Sequence, residues 1–292
     1  MTDQSRPLLA ALWMTGAIFA FSSMAIGGRA VAIELDTFEL MMFRSFIGLF
    51  IMTMIGVLTG RLGQIRTGRI GLHVLRNISH FAGQNLWFFA LSLIPLAQLF
   101  ALEFTSPIWV LLFAILFLGE RLTRMRVIAV ALGFAGALLV AQPGGDANPL
   151  GLATAALAAI GFAGSIVATK MLTRTESVFT ILFWLTAIQS VLGIIFTGWD
   201  GDIAWPSLAI WPWVVMVGLA GLIAHTCLTN ALSVAPATIV VPMDFLRLPA
   251  ISVVGVLFYD EPLSAAVYVG AILIFTGNYL NIWSEQRSVR AT

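Results

Sequence analysis

Seven side chains carry groups able to do chemistry inside stretches that are otherwise aliphatic and aromatic: His80, Gln84, Trp87, Glu103, His225, Asp244 and Arg247. An ionised group in the hydrocarbon of a bilayer costs at least ~2.5 kcal/mol, so such a group should face a cavity or a partner. Carboxylates and a guanidinium at one site suit a zwitterion, and they can also exchange a proton or lock two helices together. Asp244 and Arg247 are three residues apart and share one helix face, while His80, Gln84 and Trp87, four and three apart, share another. His225 and Thr229 share a third. Asn85 and Asn230 lie about 100° off these faces and are expected to bond across to neighbours. Two further cations, Arg44 and Arg76, sit at the depths of Glu103 and Asp244. The expected ion pairs are therefore Glu103–Arg44 and either Asp244–Arg247 or Asp244–Arg76, acting as gates or as helix locks.

No other chemistry is indicated. There is no HExxH, GxSxG, P-loop or paired-cysteine metal pattern, and the single cysteine, Cys227, rules out an internal disulfide. Neither catalytic residues, nor a metal, nor a cofactor are expected. An intramembrane enzyme using Asp244 and His225 as acid and base is a remote alternative, because no nucleophile or metal set accompanies them.

The elements that hold these groups come from a duplication. Ala90–Leu122 realigns without a gap on Ala231–Leu263 at an offset of 141 positions, and Glu103 falls on Asp244. Gln84 likewise falls on His225. A self-similar apolar chain points to a carrier made of two halves, here divided at 1–144 and 145–292. Of the 292 residues, 60% are hydrophobic and 10% charged, and the mean hydropathy is +0.98. Soluble domains carry roughly 25% charged residues, so much of this surface faces lipid. A net charge of +1 gives no reason to expect nucleic acid. The partners expected are the bilayer and a small-molecule substrate, with the chain taken as a monomer.

Ten segments approach the roughly 17–25 apolar residues a spanning helix needs. They lie at about 8–32, 38–59, 71–94, 97–118, 125–141, 149–169, 177–198, 211–232, 237–258 and 264–283. The first is too long for a signal peptide and is the repeat partner of the sixth, so it is expected to stay. The fifth is short and is expected to use Arg126 as a snorkelling flank. Five helices per half is an odd number, so the second half must be inverted. Basic residues agree when the N-terminus is inside. The inner segments then hold Arg61, Arg66, Arg69, Arg121, Arg124, Lys170 and Arg174, among others. The outer loops hold Glu34, Asp36, Asp146, Asp200, Asp202, Asp260 and Glu261. Arg29 is the one exception. The expected fold is thus an all-α membrane protein of ten transmembrane helices arranged as two inverted five-helix repeats, multi-pass in the inner membrane, with both termini cytoplasmic.

Pro107 in the fourth segment and Pro242 and Pro249 in the ninth each remove a backbone hydrogen bond and disturb the preceding turn. Interrupted helices at matching places in two halves are a sequence pointer to a transport site, so these prolines are candidate hinges. Trp13, Trp87, Trp109 and Trp184 are candidate cavity walls, and Trp199, Trp205, Trp211, Trp213 and Trp283 a candidate interfacial belt.

FSSMAIGGRAV in the first segment, MMFRSFIGLF in the second and ALSLIPLAQLFALEFTSPIWVLLFAILFLGERLT through the fourth resemble the ten-helix EamA-type branch of the drug/metabolite transporter superfamily. The ending Leu118–Thr123, LGERLT, is the most specific piece, and its second copy has diverged to Asp260–Glu261–Pro262–Leu263. The resemblance covers essentially the whole chain. It implies a central cavity between inverted repeats and alternating access, and Arg44 matches an arginine typical of the second helix. In length and layout the chain is similar to bacterial exporters of aromatic amino acids, so export of amino acids or similar small amphipathic metabolites is expected. Import of a vitamin, a nucleoside-like compound or an S-adenosylmethionine-like compound is the alternative.

Overall fold

Side-chain caps fix three of the helix starts among the described residues. Asp36 and Glu39 form a reciprocal box, with the Glu39 N–H donating to Asp36 at 2.8 Å and the Asp36 N–H to Glu39 at 2.9 Å. Asn148 accepts from the Leu150 N–H ahead of Pro149, and Ser177 accepts from the Thr180 N–H. The computed structural model describes residues 5–65, 68–94, 99, 102–141, 148–199, 203–250 and 265–290.

The helices are α1 (Pro7–Val31), α2 (Thr37–Leu58), α3 (Ile70–Leu93), α4 (Ser106–Phe113), α5 (Arg124–Ala141), α6 (Pro149–Leu172), α7 (Val178–Thr197), α8 (Trp211–Val234), α9 (Ala237–Val240) and α10 (Ala265–Arg290). A wider π turn, Ala114–Leu118, continues α4; α9 tightens to a 3-10 stretch, Val241–Leu246, and is helical again to residue 250. No strand occurs among the described residues. This is an all-α membrane protein, with ten helices among the described residues. The fourth and ninth spans were expected from about 97 and to about 258; 95–98, 100–101 and 251–264 lie outside the described residues, as do Arg66, Asp146, Asp200, Asp202, Asp260 and Glu261 and the side chain of Arg29.

By length and hydropathy α1, α2, α6, α7, α8 and α10 qualify individually as membrane spans. α3 has the length, at 24 residues, but His73, Arg76, Asn77, His80, Gln84 and Asn85 lower its hydropathy. That helix carries much of the polar chemistry. Large apolar side chains such as Phe19, Phe50, Leu116, Ile272 and Tyr279 cover the outside, as a lipid-facing surface requires.

Packing reveals the symmetry. α2 lies against α7 with Met42 at Gly193, Gly48 at Thr186 and Gly56 at Phe179, so the two run antiparallel. α5 and α10 are also antiparallel: a Cβ on Gly136 would meet the Gly270 carbonyl at 2.6 Å, and one on Gly277 the Ala129 carbonyl at 2.9 Å. These two contacts are the same contact under the 141-residue offset. Each pair joins a helix to its own repeat equivalent. A two-fold axis along the helices would leave equivalent helices parallel, so the axis runs across them and the repeats are inverted. The remaining large interfaces obey the same operation, since α1 on α8 becomes α6 on α3.

Arg126 does not snorkel. It is buried, and its guanidinium meets Glu285 of α10 at 3.2 Å and donates to the Arg121 carbonyl at 2.8 Å. The α5–α10 pairing brings that carboxylate within reach, and a buried partner replaces the membrane surface.

Candidate substrate cavity

The seven side chains singled out from the sequence all line one cavity. Its walls come from α1, α3, the turn before α4, α6, α8 and α9, which are three repeat-related pairs of helices. The lining itself is paired by the same offset. Phe21 corresponds to Phe162, Met24 to Ser165, Gln84 to His225, Trp87 to Leu228, Phe88 to Thr229, Glu103 to Asp244 and Ser106 to Arg247. The cavity therefore sits on the two-fold axis, and its two sides have diverged chemically. With its open part it holds about 1090 Å³ of space between atoms.

At one end, Arg247 Nη2 donates to Glu103 Oε1 and to Asp244 Oδ2, the latter at 2.8 Å. The Trp87 indole N–H donates to the other Glu103 oxygen at 2.7 Å. Phe104 and Phe21 lie under the guanidinium at 5.3 and 5.6 Å. Deeper in, His80 and His225 meet edge-to-face with ring centroids 4.6 Å apart. Phe21 packs on His225 at 5.7 Å and Phe162 on His80 at 6.1 Å, so a row of four rings crosses the axis. His80 Nε2, both nitrogens of His225, Asp244 Oδ1 and Arg247 Nε are buried without a hydrogen-bond partner. Buried polar atoms of this kind are costly unless a guest satisfies them.

Of the expected ion pairs, Asp244–Arg247 forms and Glu103–Arg44 does not. Glu103 pairs with Arg247 and not with Arg44, because α2 packs against α7 and α8 and so turns Arg44 toward those helices. Depth along a helix was legible from the sequence, but direction around the bundle was not. Asp244 pairs with Arg247 and not with Arg76, whose guanidinium instead donates to Thr169 Oγ1 at 3.0 Å and Asn77 Oδ1 at 3.2 Å at the far end of the cavity. The two repeat-related carboxylates share one cation, since equivalent positions near a two-fold axis converge.

Pro107 stands in the first turn of α4, directly after a turn at Phe104 and Thr105 that aims Glu103 inward. Pro242 opens the 3-10 stretch that carries Asp244. Pro249 lies in the helical piece beyond Arg247. Of the tryptophans, Trp87 lines the cavity; Trp13 and Trp109 pack into the hydrophobic core, and Trp184 lies 6.1 Å from His73. Asn85 and Asn230 bond back to carbonyls of their own helices. Ser106, Phe162, Ser165, Thr169 and Leu228 were not anticipated. Carrying Trp87 and Arg247 across the repeat offset would have found Leu228 and Ser106, and the i,i+4 polar spacing of Ser165 and Thr169 was a second signal.

The LGERLT segment has a structural role visible here. Gly119 closes the π turn in the left-handed conformation, φ 67°, which favours glycine. That turn delivers the Glu120 carboxylate to the start of α9, where it accepts from the Ala237 N–H at 3.0 Å, the Thr238 N–H at 3.3 Å and the Thr238 hydroxyl. Arg174 donates to the Leu118 carbonyl at 3.0 Å, and Lys170 caps the end of α8 through the Leu232 and Ala235 carbonyls. The Glu120 and Arg174 contacts tie the two halves together on the face rich in basic residues.

A duplicated, inverted helix bundle around an apolar cavity with a few polar groups defines a multi-pass membrane transport protein. Residues 8–142 and 149–283 each match the model of the EamA-like transporter family, and the chain belongs to that family. It is 36% identical to a riboflavin transporter of Brucella anthropi over 72% of this chain and 75% of the relative. It is 30% identical to a riboflavin transporter of Rhizobium johnstonii over 99% and 95%. It is 29% identical to a pseudopaline exporter of Pseudomonas aeruginosa over 88% and 90%. A solved crystal structure superposes with a TM-score of 0.81 at 20% identity, covering 95% of this chain and 98% of the other, which supports the fold alone.

Proposed function

We propose that the chain is an inner-membrane carrier of a flat heteroaromatic metabolite of the riboflavin class, moved inward by alternating access, with both termini cytoplasmic. The observation that carries this is the row Phe21–His225–His80–Phe162, whose unpartnered imidazole nitrogens edge an aromatic-walled space. A planar ring system stacks on such a wall, and its amide and imine edge satisfies the imidazoles. The names of the two riboflavin-transporting relatives support the same class. His80, Gln84, Trp87, Glu103, His225, Asp244 and Arg247 make the substrate contacts. Residues 1–144 and 145–292 rock against each other about α4 and α9, with Pro107, Pro242 and Pro249 as hinges, and Arg44 and Arg76 flanking the site. No step of this cycle needs catalysis.

Export of amino acids, the expectation from the sequence, is the second reading. It is favoured by Glu103, Asp244 and Arg247, which present both signs of charge at one place, and by the relative named as an exporter. Arg247, however, is already matched by two carboxylates, which leaves little positive charge for a substrate carboxylate at that end. Counterflow into proteoliposomes tests the choice. Vesicles loaded with unlabelled riboflavin should accumulate external labelled riboflavin, and vesicles loaded with aromatic amino acids should not accumulate labelled amino acid. The reverse pattern would establish the second reading and remove the first.

A further inference from the structure

We infer that a small monovalent anion of halide size binds at Arg44, in a second chamber behind the His80–His225 pair. The chamber lies between α2, α3, α7 and α8, and like the main cavity it is built from repeat-related pairs. Arg44 corresponds to Leu185, Ser45 to Thr186, Gly48 to Gln189, His80 to Gly221 and Gln84 to His225. The symmetry is broken by charge, because Arg44 has an aliphatic equivalent. Arg44 is 8% exposed and its guanidinium donates to the Met41 thioether at 3.6 Å, an uncharged and weak acceptor. No carboxylate among the described residues forms an ion pair with it.

A buried guanidinium without a counter-charge is expensive, and the membrane interior offers no bulk water to solvate it. The chamber has room for one small guest. His225 borders both chambers with two unpartnered nitrogens, and His80 adds Nε2. Gly221 leaves space for the guanidinium, since a Cβ there would stand 2.7 Å from Arg44 Nη2. An anion beside Arg44 neutralises that cation and accepts an N–H from His225. A neutral imidazole has one donor and one acceptor. Fixing the donor toward Arg44 therefore turns the acceptor of His225 to the main cavity, so the anion sets which edge of a substrate fits there.

The test uses the full-length protein purified in detergent, without any transport substrate. Its thermal transition is measured in sodium bromide against sodium gluconate at matched ionic strength, and crystals grown in bromide are examined for anomalous scattering. The expected result is a saturable upward shift in bromide and an anomalous peak within hydrogen-bonding distance of Arg44. Arg44→Gln should abolish both, Arg44→Lys should retain a weakened shift, and Arg76→Gln should keep the peak. A wild-type protein with no peak at Arg44, or with peaks only at its surface and a shift unchanged in Arg44→Gln, would overturn the proposal.

Discussion

Replacing Arg247 with methionine removes the one cation shared by the buried Glu103 and the half-buried Asp244. Arg247 and Glu103 are about as buried as each other, with side chains 9% and 10% exposed, while Asp244 is 23% exposed and retains some contact with solvent. Breaking a buried ion pair from one side costs about 3–5 kcal/mol, because the remaining charge is left uncompensated. The partial exposure of Asp244 places the expected cost near the lower figure, about 3 kcal/mol. At roughly 2–4 °C per kcal/mol for a chain of this general size, the apparent melting temperature should fall by about 6–12 °C. Detergent-solubilised membrane proteins usually unfold irreversibly, so the comparison is made at a single scan rate. The triple variant Glu103→Gln, Asp244→Asn, Arg247→Met replaces all three charges with neutral groups, and the glutamine carbonyl can still accept the Trp87 indole N–H. It should melt within a few degrees of the parent, yet riboflavin binding should be lost in both variants. A single variant that melts within about 2 °C of wild type, or a triple variant no better than the single one, would refute the shared-cation arrangement.

Other perturbations follow from the same geometry. Trp87→Phe keeps the ring wall but drops the 2.7 Å indole bond to Glu103, which should cost about 1–3 kcal/mol in thermal or denaturant unfolding. Trp87→Ala should in addition weaken riboflavin binding at least about tenfold, a difference of ~1.4 kcal/mol. Glu120→Ala removes the acceptors for the first N–H groups of α9, at about 0.5–2 kcal/mol, and should speed hydrogen exchange at Ala237 and Thr238. Glu120→Gln keeps one acceptor and should exchange at an intermediate rate. Gly136→Ala and Gly277→Ala press a methyl group into the facing backbone at 2.6 and 2.9 Å, so each should destabilise by about 1–3 kcal/mol, Gly136→Ala the more.

The parts of this architecture that were legible in the sequence are those fixed by period and offset. The 141-residue register placed Glu103 opposite Asp244 and Gln84 opposite His225, and the odd helix count with its charge bias required inversion. Helix-face spacing gathered His80, Gln84 and Trp87 correctly. What depends on azimuth was not legible. Arg44 has the depth of Glu103, but hydropathy does not reveal that α2 turns its guanidinium toward α7 and α8. Arg126 looked like a surface flank until α10 supplied Glu285. The prolines marked α4 and α9 as interrupted, yet the π turn ending at Gly119 follows from how the LGERLT segment must reach the start of α9, a tertiary demand no local propensity reports. Trp13, Trp109 and Trp184 are indistinguishable by type from Trp87, and only packing separates wall from core.

The central claim is that the cavity on the two-fold axis holds a planar heteroaromatic guest against the His80–His225 pair. Riboflavin is fluorescent, and titrating it with purified protein reads its capture directly. Saturable quenching at one guest per chain in the wild type, strongly weakened in His225→Ala and in Trp87→Ala while both variants still fold and unfold in a single cooperative transition, is the predicted result. Quenching that is absent or non-saturable in the wild type, or undiminished in a folded His225→Ala variant, would contradict it.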